Sequence, residues 1–417
     1  MNTSRTEKYL KKKKNRSRQL EKFAVRSAVA LGLAAVFFTA WYVVEHIHST
    51  ASQNHEKTAS APLPSSSLSP APTSASAAVK SAASPSPSPA ASPSASPAGD
   101  QHISFSFVGD VMWSGNAGKL LAQKGYDYPY EKVKDILQRS DLTAANLETP
   151  ITNGGEKQEK EYIYRSAPEG LQAFQAAGFD VVNTANNHIL DYGVKGLQDT
   201  LSSLKQAGIA AVGAGMDKEQ AYQSYEVEKN GIKVAFLGFS HVVPNGQWKA
   251  GINSDGSPRP GVAETYNYTY AVGPIQAAKK TADIVVVYVH WGTERKNVPD
   301  SYEVDMAHRY IDAGADLVIG SHPHRVQTIE SYKGKWIAYS LGNFIFTTNN
   351  DPHTWDSLIL QADCSSTGAC ALQAVPVVVK NTQPKPMSAA EAQSFKQSLL
   401  AVSPGIAVDD QWNINRK

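Results

Sequence analysis

Leu317-Val318-Ile319-Gly320-Ser321-His322-Pro323-His324 is an apolar, β-branched run that stops at a Gly-Ser turn and delivers two imidazoles one residue apart. Such a run reads as a buried strand, and its end as a loop that exposes chemistry on a rigid frame. Three further strands end alike. Ile103–Gly109 runs into Asp110, Val181–Thr184 into Asn186-Asn187-His188, and Ile284–Val289 into His290-Trp291-Gly292. A fourth polar end, Glu148, closes the strand Leu142–Leu147. Strand ends rich in His, Asp, Asn and Glu point to one convergent site.

Between these strands the pattern turns helical over Tyr130–Arg139, Pro168–Ala177, Val194–Ala207, Val272–Ala282 and Val304–Ala313, with short strands at Ile209–Val212, Ser224–Val227 and Ile232–Phe239. Gln327–Ser331 and Trp336–Ser340 read as a late hairpin, and Ala389–Leu400 as a last helix. Mixing βα units with hairpins predicts an α/β (α+β) fold of two sheets packed face to face with helices outside; a single doubly wound sheet is the alternative. No glycine-rich phosphate loop is present, since Gly213-Ala214-Gly215 lacks a third glycine.

The first hundred residues have another character. Arg5 to Arg26 hold ten basic side chains against Glu7 and Glu21, about +8 of a whole-chain charge of +2, so the rest of the chain sums to about −6. The uncharged segment Ser27–Val44 follows at once and ends beside an interfacial Trp41-Tyr42 pair, which argues against nucleic-acid binding by the basic run. We read residues 1–26 as a cytoplasmic tail, 27–45 as a transmembrane signal anchor and 46–100, dominated by Ala, Ser and Pro, as a disordered stalk. A cleaved secretory signal is the alternative to the anchor. Everything beyond the anchor is expected outside the cell membrane, with 101–348 as the main domain and 349–417 as a hairpin, helix and tail.

The two cysteines fit that compartment. Cys364 and Cys370 flank Ser365-Ser366-Thr367-Gly368-Ala369 between two alternating runs, as a disulfide across a hairpin would.

Imidazole nitrogen with carboxylate and amide oxygen, drawn from several loops, is a donor set for Mn, Zn or Fe, as one ion or two. The candidate ligands are Asp110, Glu148, Asn187, His290, His322 and His324, with His188 beside them. His241, His308 and His353 lack this context and are read as structural or surface residues.

Six motifs in order, Phe107-Val108-Gly109-Asp110, Ala145-Asn146-Leu147-Glu148-Thr149-Pro150, Ala185-Asn186-Asn187-His188-Ile189-Leu190-Asp191-Tyr192-Gly193, His290-Trp291-Gly292-Thr293-Glu294, Gly320-Ser321-His322-Pro323-His324 and Tyr339-Ser340-Leu341-Gly342-Asn343-Phe344, closely resemble the CapA/PgsA family of poly-γ-glutamate capsule synthesis proteins. That family is similar in turn to calcineurin-like metallophosphoesterases, and the resemblance implies a four-layer sandwich of two β-sheets flanked by helices. It implies Asp110, Glu148, Asn187, His290, His322 and His324 as metal ligands, His188 as the acid near a leaving group, and Arg165, Asn146 and Asn343 as substrate contacts. The phosphoesterase pattern has a histidine two residues after its first aspartate; here that residue is Met112, and thioether is a poor ligand for a hard divalent ion. The resemblance further implies poly-γ-glutamate or another anionic polymer as substrate and membrane-bound synthesis subunits as partners. Two other functions stay open: a wall-facing metallohydrolase acting on phosphoesters or amides, and a scaffold with a vestigial site.

Overall fold

A computed structural model describes residues 101–417, so the tail, anchor and stalk expected over residues 1–100 lie outside the described residues. No helix among the described residues is long and apolar enough to cross a membrane.

Two large sheets carry the fold. Ten strands form the first, with the four parallel neighbours His102–Val111, Leu142–Leu147, Val181–Asn183 and Ala210–Val212 making one half. Six form the second, around the parallel trio Ile232–Ser240, Ile284–His290 and Leu317–Ser321. These central strands read as continuous apolar runs because both faces are covered, as parallel strands require. Inward-facing side chains of both sheets meet in one core: Phe105 lies edge-on to Phe236, 6.2 Å between centroids, and Phe107 meets Tyr288 at 6.5 Å. Each buried aromatic side chain contributes roughly 1.5–3 kcal/mol through apolar burial.

The outer faces are closed by helices. Ala235, Val285, Val287 and Val289 pack against Ala271 and Ile275 of the helix Thr269–Ala278 and against Met306 and Tyr310 of Ser301–Ala313. Val108, Ala145 and Val182 pack against Leu121, Leu137, Phe174 and Leu204, which come from four helices on the first sheet's outer side. The order helix, sheet, sheet, helix follows from these contacts. A single doubly wound sheet is thereby excluded.

Residues 349–417 are not a separate unit. Asp356–Ser365 pairs antiparallel with His102–Val111, continuing the first sheet, and the Cys364–Cys370 disulfide is formed at the end of its hairpin with Cys370–Lys380. The first strand needs an edge partner, and Asp356–Ser365 supplies it. The tail, which shows no pattern in sequence, adds the short strands Ile406–Val408 and Asn413–Arg416. Tyr130–Arg139 is helical only over Lys134–Leu137, preceded by turns, and Gly115–Lys124 is a helix whose glycine-led sequence gave no signal.

Sheet register is what gathers the polar strand ends. Asp110 stands level with Asn146 and Asn343, and Asn146 with Asn183, on the first sheet. His290 stands level with Ser240 and Ser321 on the second. Both rungs lie at the carboxyl ends of parallel strands. A register irregularity between Phe107 and Asp110 breaks the pairing just before the aspartate, the kind of bulge that re-aims a side chain.

Candidate metal centre

Asp110 is fully buried and held on both sides. Its Oδ1 accepts from Asn146 Nδ2 at 2.8 Å; its Oδ2 lies 3.1 Å from His324 Nδ1 and accepts from the His322 backbone N–H at 3.3 Å. Placing it requires Gly109, whose missing Cβ would stand 1.7 Å from the Gly342 carbonyl oxygen. That carbonyl accepts the Asp110 backbone N–H at 2.9 Å.

The His-Pro-His turn is bent out of ordinary backbone space. His322 has φ +100° and His324 φ +57°, left-handed conformations that β-carbon-bearing residues rarely adopt. Such backbone persists only where its surroundings over-determine it, and it concentrates at functional sites. The bend brings the His322 ring to 4.6 Å from His290 and 5.8 Å from His324, centroid to centroid.

His290 is wholly buried at the end of its strand. Its Nε2 lies 2.8 Å from Asn187 Oδ1 and 3.6 Å from a Glu148 oxygen, and its Nδ1 is 3.1 Å from Asn146 Nδ2 and 3.2 Å from Ser321 Oγ. Amide oxygen cannot donate, so Nε2 carries the proton towards Asn187 and Nδ1 accepts. Ligand atoms of Glu148, His322 and His324 all lie within 4.8 Å of one another, as do those of Asp110, Glu148 and His290. Glu148 belongs to both groups.

A divalent cation fits these residues on one observation above the others. Both Glu148 carboxylate oxygens and His322 Nδ1 are buried with no hydrogen-bond partner among the described residues. An orphaned buried acceptor costs about 1–3 kcal/mol, and unpartnered atoms on two residues of one imidazole and carboxylate cluster are what an ion would satisfy. The charges agree. Burial first, then Asp110, pushes the Glu148 carboxyl well above the usual range. Burial, then neighbouring imidazoles, holds His290 and His322 well below theirs, so both rings are neutral. For His324 burial opposes charging, but Glu148 and then Asp110 prevail and raise it to about 9.

Asn187 and His188 open the turn before the helix Gly193–Gln206. Asn187 reaches the cluster through His290, and His188 stands at its edge with Nδ1 2.7 Å from Asp191 Oδ2. Burial lowers the His188 pKa. The residues expected to contact substrate lie at different depths. Asn146 is fully buried with its amide spent on Asp110, His290 and Asn183, and Asn343 Oδ1 is 2.9 Å from His324 Nδ1 while its Nδ2 donates to the Thr354 carbonyl. Both orient candidate ligand side chains; Asn146 has both N–H donors engaged, whereas Asn343 keeps one N–H and one lone pair. Arg165 is exposed, stacked 4.6 Å over the Tyr192 ring, and does not reach the cluster. Met112 is buried and ends the first strand's reach without offering a ligand.

Two groups carry roles that the sequence did not assign. Asp191, fully buried, grips His188, and Lys160 pairs with Asp191 at 2.7 Å and with the Asn187 carbonyl. Asp191 lies three residues past His188, a signal that could have been found; Lys160 sits in a charged loop where a lysine normally faces water.

Comparison with known proteins follows the same residues. Residues 104–348 match the family described as bacterial capsule synthesis protein PGA_cap. The chain is 36% identical over 304 residues to the PGA biosynthesis protein CapA of Bacillus subtilis (strain 168), covering 72% of this chain and 77% of that one. It is 33% identical over 299 residues to the capsule biosynthesis protein CapA of Bacillus anthracis, covering 70% and 71%. A probable polyglutamine synthesis accessory protein of Mycobacterium tuberculosis (strain H37Rv) is 34% identical over 241 residues, 55% of this chain and 62% of its own. Among solved structures, TT1561 of Thermus thermophilus overlaps 63% of this chain and 99% of its own at 9% identity and a TM-score of 0.36, a likeness too slight to argue from.

Proposed function

Because the chain belongs to the bacterial capsule synthesis protein PGA_cap family, we propose that it serves the synthesis, export or trimming of poly-γ-glutamate through a divalent-metal pocket of metallophosphoesterase type. The observation that carries the metal reading is the trio of buried, partnerless ligand atoms on Glu148 and His322. Asp110, Glu148, Asn187, His290, His322 and His324 would hold the ion. When bound, it would polarise a substrate carbonyl or phosphoryl oxygen and make water more acidic.

The chain's own residues do the rest. Asn146 holds Asp110 and His290 in fixed orientation, and Asn343 does so for His324. Such supporting contacts are worth about 10–100-fold in metal affinity. His188, neutral and backed by Asp191, can take a proton at Nε2 beside the cluster and, once charged, pass it on. On this reading the basic tail and apolar run of residues 1–45 anchor the protein in the cell membrane with the pocket outside, next to membrane-bound synthesis subunits. An acidic outer region repels a polyanion at long range, so capture falls to the metal charge at close quarters.

Deleting the gene from a polymer-producing host, then complementing with wild type or Glu148→Gln, tests the reading. Wild type restores polymer yield and chain length, and the variant does not; unchanged polymer after deletion rejects it. Purified protein with Mn²⁺ assayed on γ-linked glutamate oligomers and on a chromogenic phosphodiester separates amide from phosphoester chemistry.

A further inference from the structure

Between Thr152 and Ser166 the chain forms a loop without helix or strand, closed at its base where Ile151 bridges Ser166 and Thr152 N–H donates to the Ser166 carbonyl at 3.2 Å. Loops with joined ends of this size are compact surface units held by their own contacts. Thr152 at one end of this strap donates to Asp199 Oδ2 at 2.6 Å, while the contacts of its middle, Gln158 to Tyr164, fall mainly on the turn Asn187–Asp191. Gln158 N–H donates to the Asp191 carbonyl at 3.0 Å, Tyr164 N–H to Asp191 Oδ2 at 2.8 Å, and the Tyr164 ring lies 4.9 Å from the His188 ring. Lys160 reaches deepest. Its Nζ donates to the Asn187 carbonyl and to Asp191 Oδ1, stands 3.0 Å from His188 Nδ1, and lies 5.3 Å from the centre of the Trp248 ring.

These contacts fix a proton. Asp191 is a carboxylate with no exposed surface, and an ionised carboxylate only accepts. Since His188 Nδ1 is 2.7 Å from Oδ2, the neutral ring must carry its hydrogen on Nδ1 and leave Nε2 as an open lone pair, and Nε2 makes no hydrogen bond to a described residue. Lys160 cannot donate to an Nδ1 already protonated. It neutralises Asp191 instead and pins the carboxylate plane that orients the ring. Without it a buried carboxylate loses its paired charge and the turn loses a carbonyl partner, a combination that breaks rather than weakens such sites.

We propose that Lys160 is a positioning residue: it docks the strap Thr152–Ser166 on the Asn187–Asp191 turn and so holds His188 in a single tautomer with Nε2 open to the pocket. This rests on the pocket being the working site proposed above, but not on which polymer it serves.

The test is nitrogen-15 NMR of the histidine-labelled full chain, which reads ring tautomer directly. Wild type is expected in one form, with Nδ1 protonated at His188. Lys160→Ala is expected to mix the two forms and to speed amide exchange at Gln158 and Tyr164 by about tenfold, the loss of about one hydrogen bond. Added ethylammonium, which replaces the missing ammonium, should restore both. Lys157→Ala in the same strap should change neither. If Lys160→Ala does not fold, Lys160→Arg serves, because a guanidinium cannot set one nitrogen on all the same partners. An unchanged His188 tautomer in the variant that folds would overturn the proposal. Because this readout uses neither metal nor polymer, its failure leaves the polymer reading standing.

Discussion

Replacing Glu148 with glutamine should stabilise the metal-free protein and abolish its response to metal. Both carboxylate oxygens of Glu148 are buried without partners, and Asp110 is a second acid in the same pocket. Burial and that repulsion together drive the Glu148 carboxyl well above its ordinary range, a sign that the charge is disfavoured where it stands. The amide keeps the shape, removes the charge and supplies an N–H for the Asp110 carboxylate. A buried acceptor without a partner costs about 1–3 kcal/mol, so the gain should be about 1–3 kcal/mol at most, since the variant also loses the attraction of Glu148 to a charged His324. At roughly 2 °C per kcal/mol for a domain of this size, Tm should rise by about 2–6 °C in EDTA. With Mn²⁺ at a thousandfold its Kd, wild type should gain about 4.1 kcal/mol and the variant far less, so the order reverses. Melting both proteins by circular dichroism at pH 7.5, with EDTA and with MnCl₂, shows it. A variant less stable than wild type in EDTA, or equally stabilised by Mn²⁺, would refute the reasoning.

Three other outcomes follow. Metal binding near pH 7.5 should release at least one proton, because His324, raised to about 9, is charged there in the metal-free protein while a ligand imidazole must be neutral. Affinity should then climb with pH towards 9, which calorimetry in buffers of different ionisation enthalpy measures; proton-independent binding would count against His324 as a ligand. The sign for the metal-free fold is the opposite: a raised histidine stabilises fully below about 6.5, its unfolded value, and that stability fades as pH rises through about 9. Gly109→Ala should cost about 1–3 kcal/mol by pushing back the Gly342 carbonyl, and should weaken Mn²⁺ binding by displacing Asp110 and Asn343 together; normal binding would show that the close approach does not place the ligand. Cys364→Ala, which opens the small disulfide loop to Cys370, should cost about 2 kcal/mol in chemical denaturation and leave metal affinity unchanged.

Much of the candidate site could be read along the chain because its proposed ligands come from one repeated event, a buried apolar strand ending in a polar residue. Asp110, His290 and the His322-Pro323-His324 turn each follow such a run, and parallel pairing sets them level without any further signal. What escaped reading depends on contacts between distant segments. Asn146 and Asn343 look from sequence like groups free to touch substrate, yet the register that lines up the ligands also spends their amides on Asp110, His290 and His324. Lys160 lies in Gly154-Gly155-Glu156-Lys157-Gln158-Glu159-Lys160-Glu161, whose composition describes a solvated loop; only the fold shows that one lysine of the two turns inward. The strands of the tail are three and four residues long, too short for alternation to show, and form because the edge of an existing sheet offers them partners.

The account depends on a cation at the meeting point of the two sheets' strand ends. Anomalous diffraction at the manganese edge from crystals of the Mn²⁺-loaded protein measures that most directly. The account predicts a peak within coordinating distance of Glu148 and His322, with Asp110, His290 or His324 completing the shell. A pocket without a peak, or an ion bound only elsewhere, would contradict it.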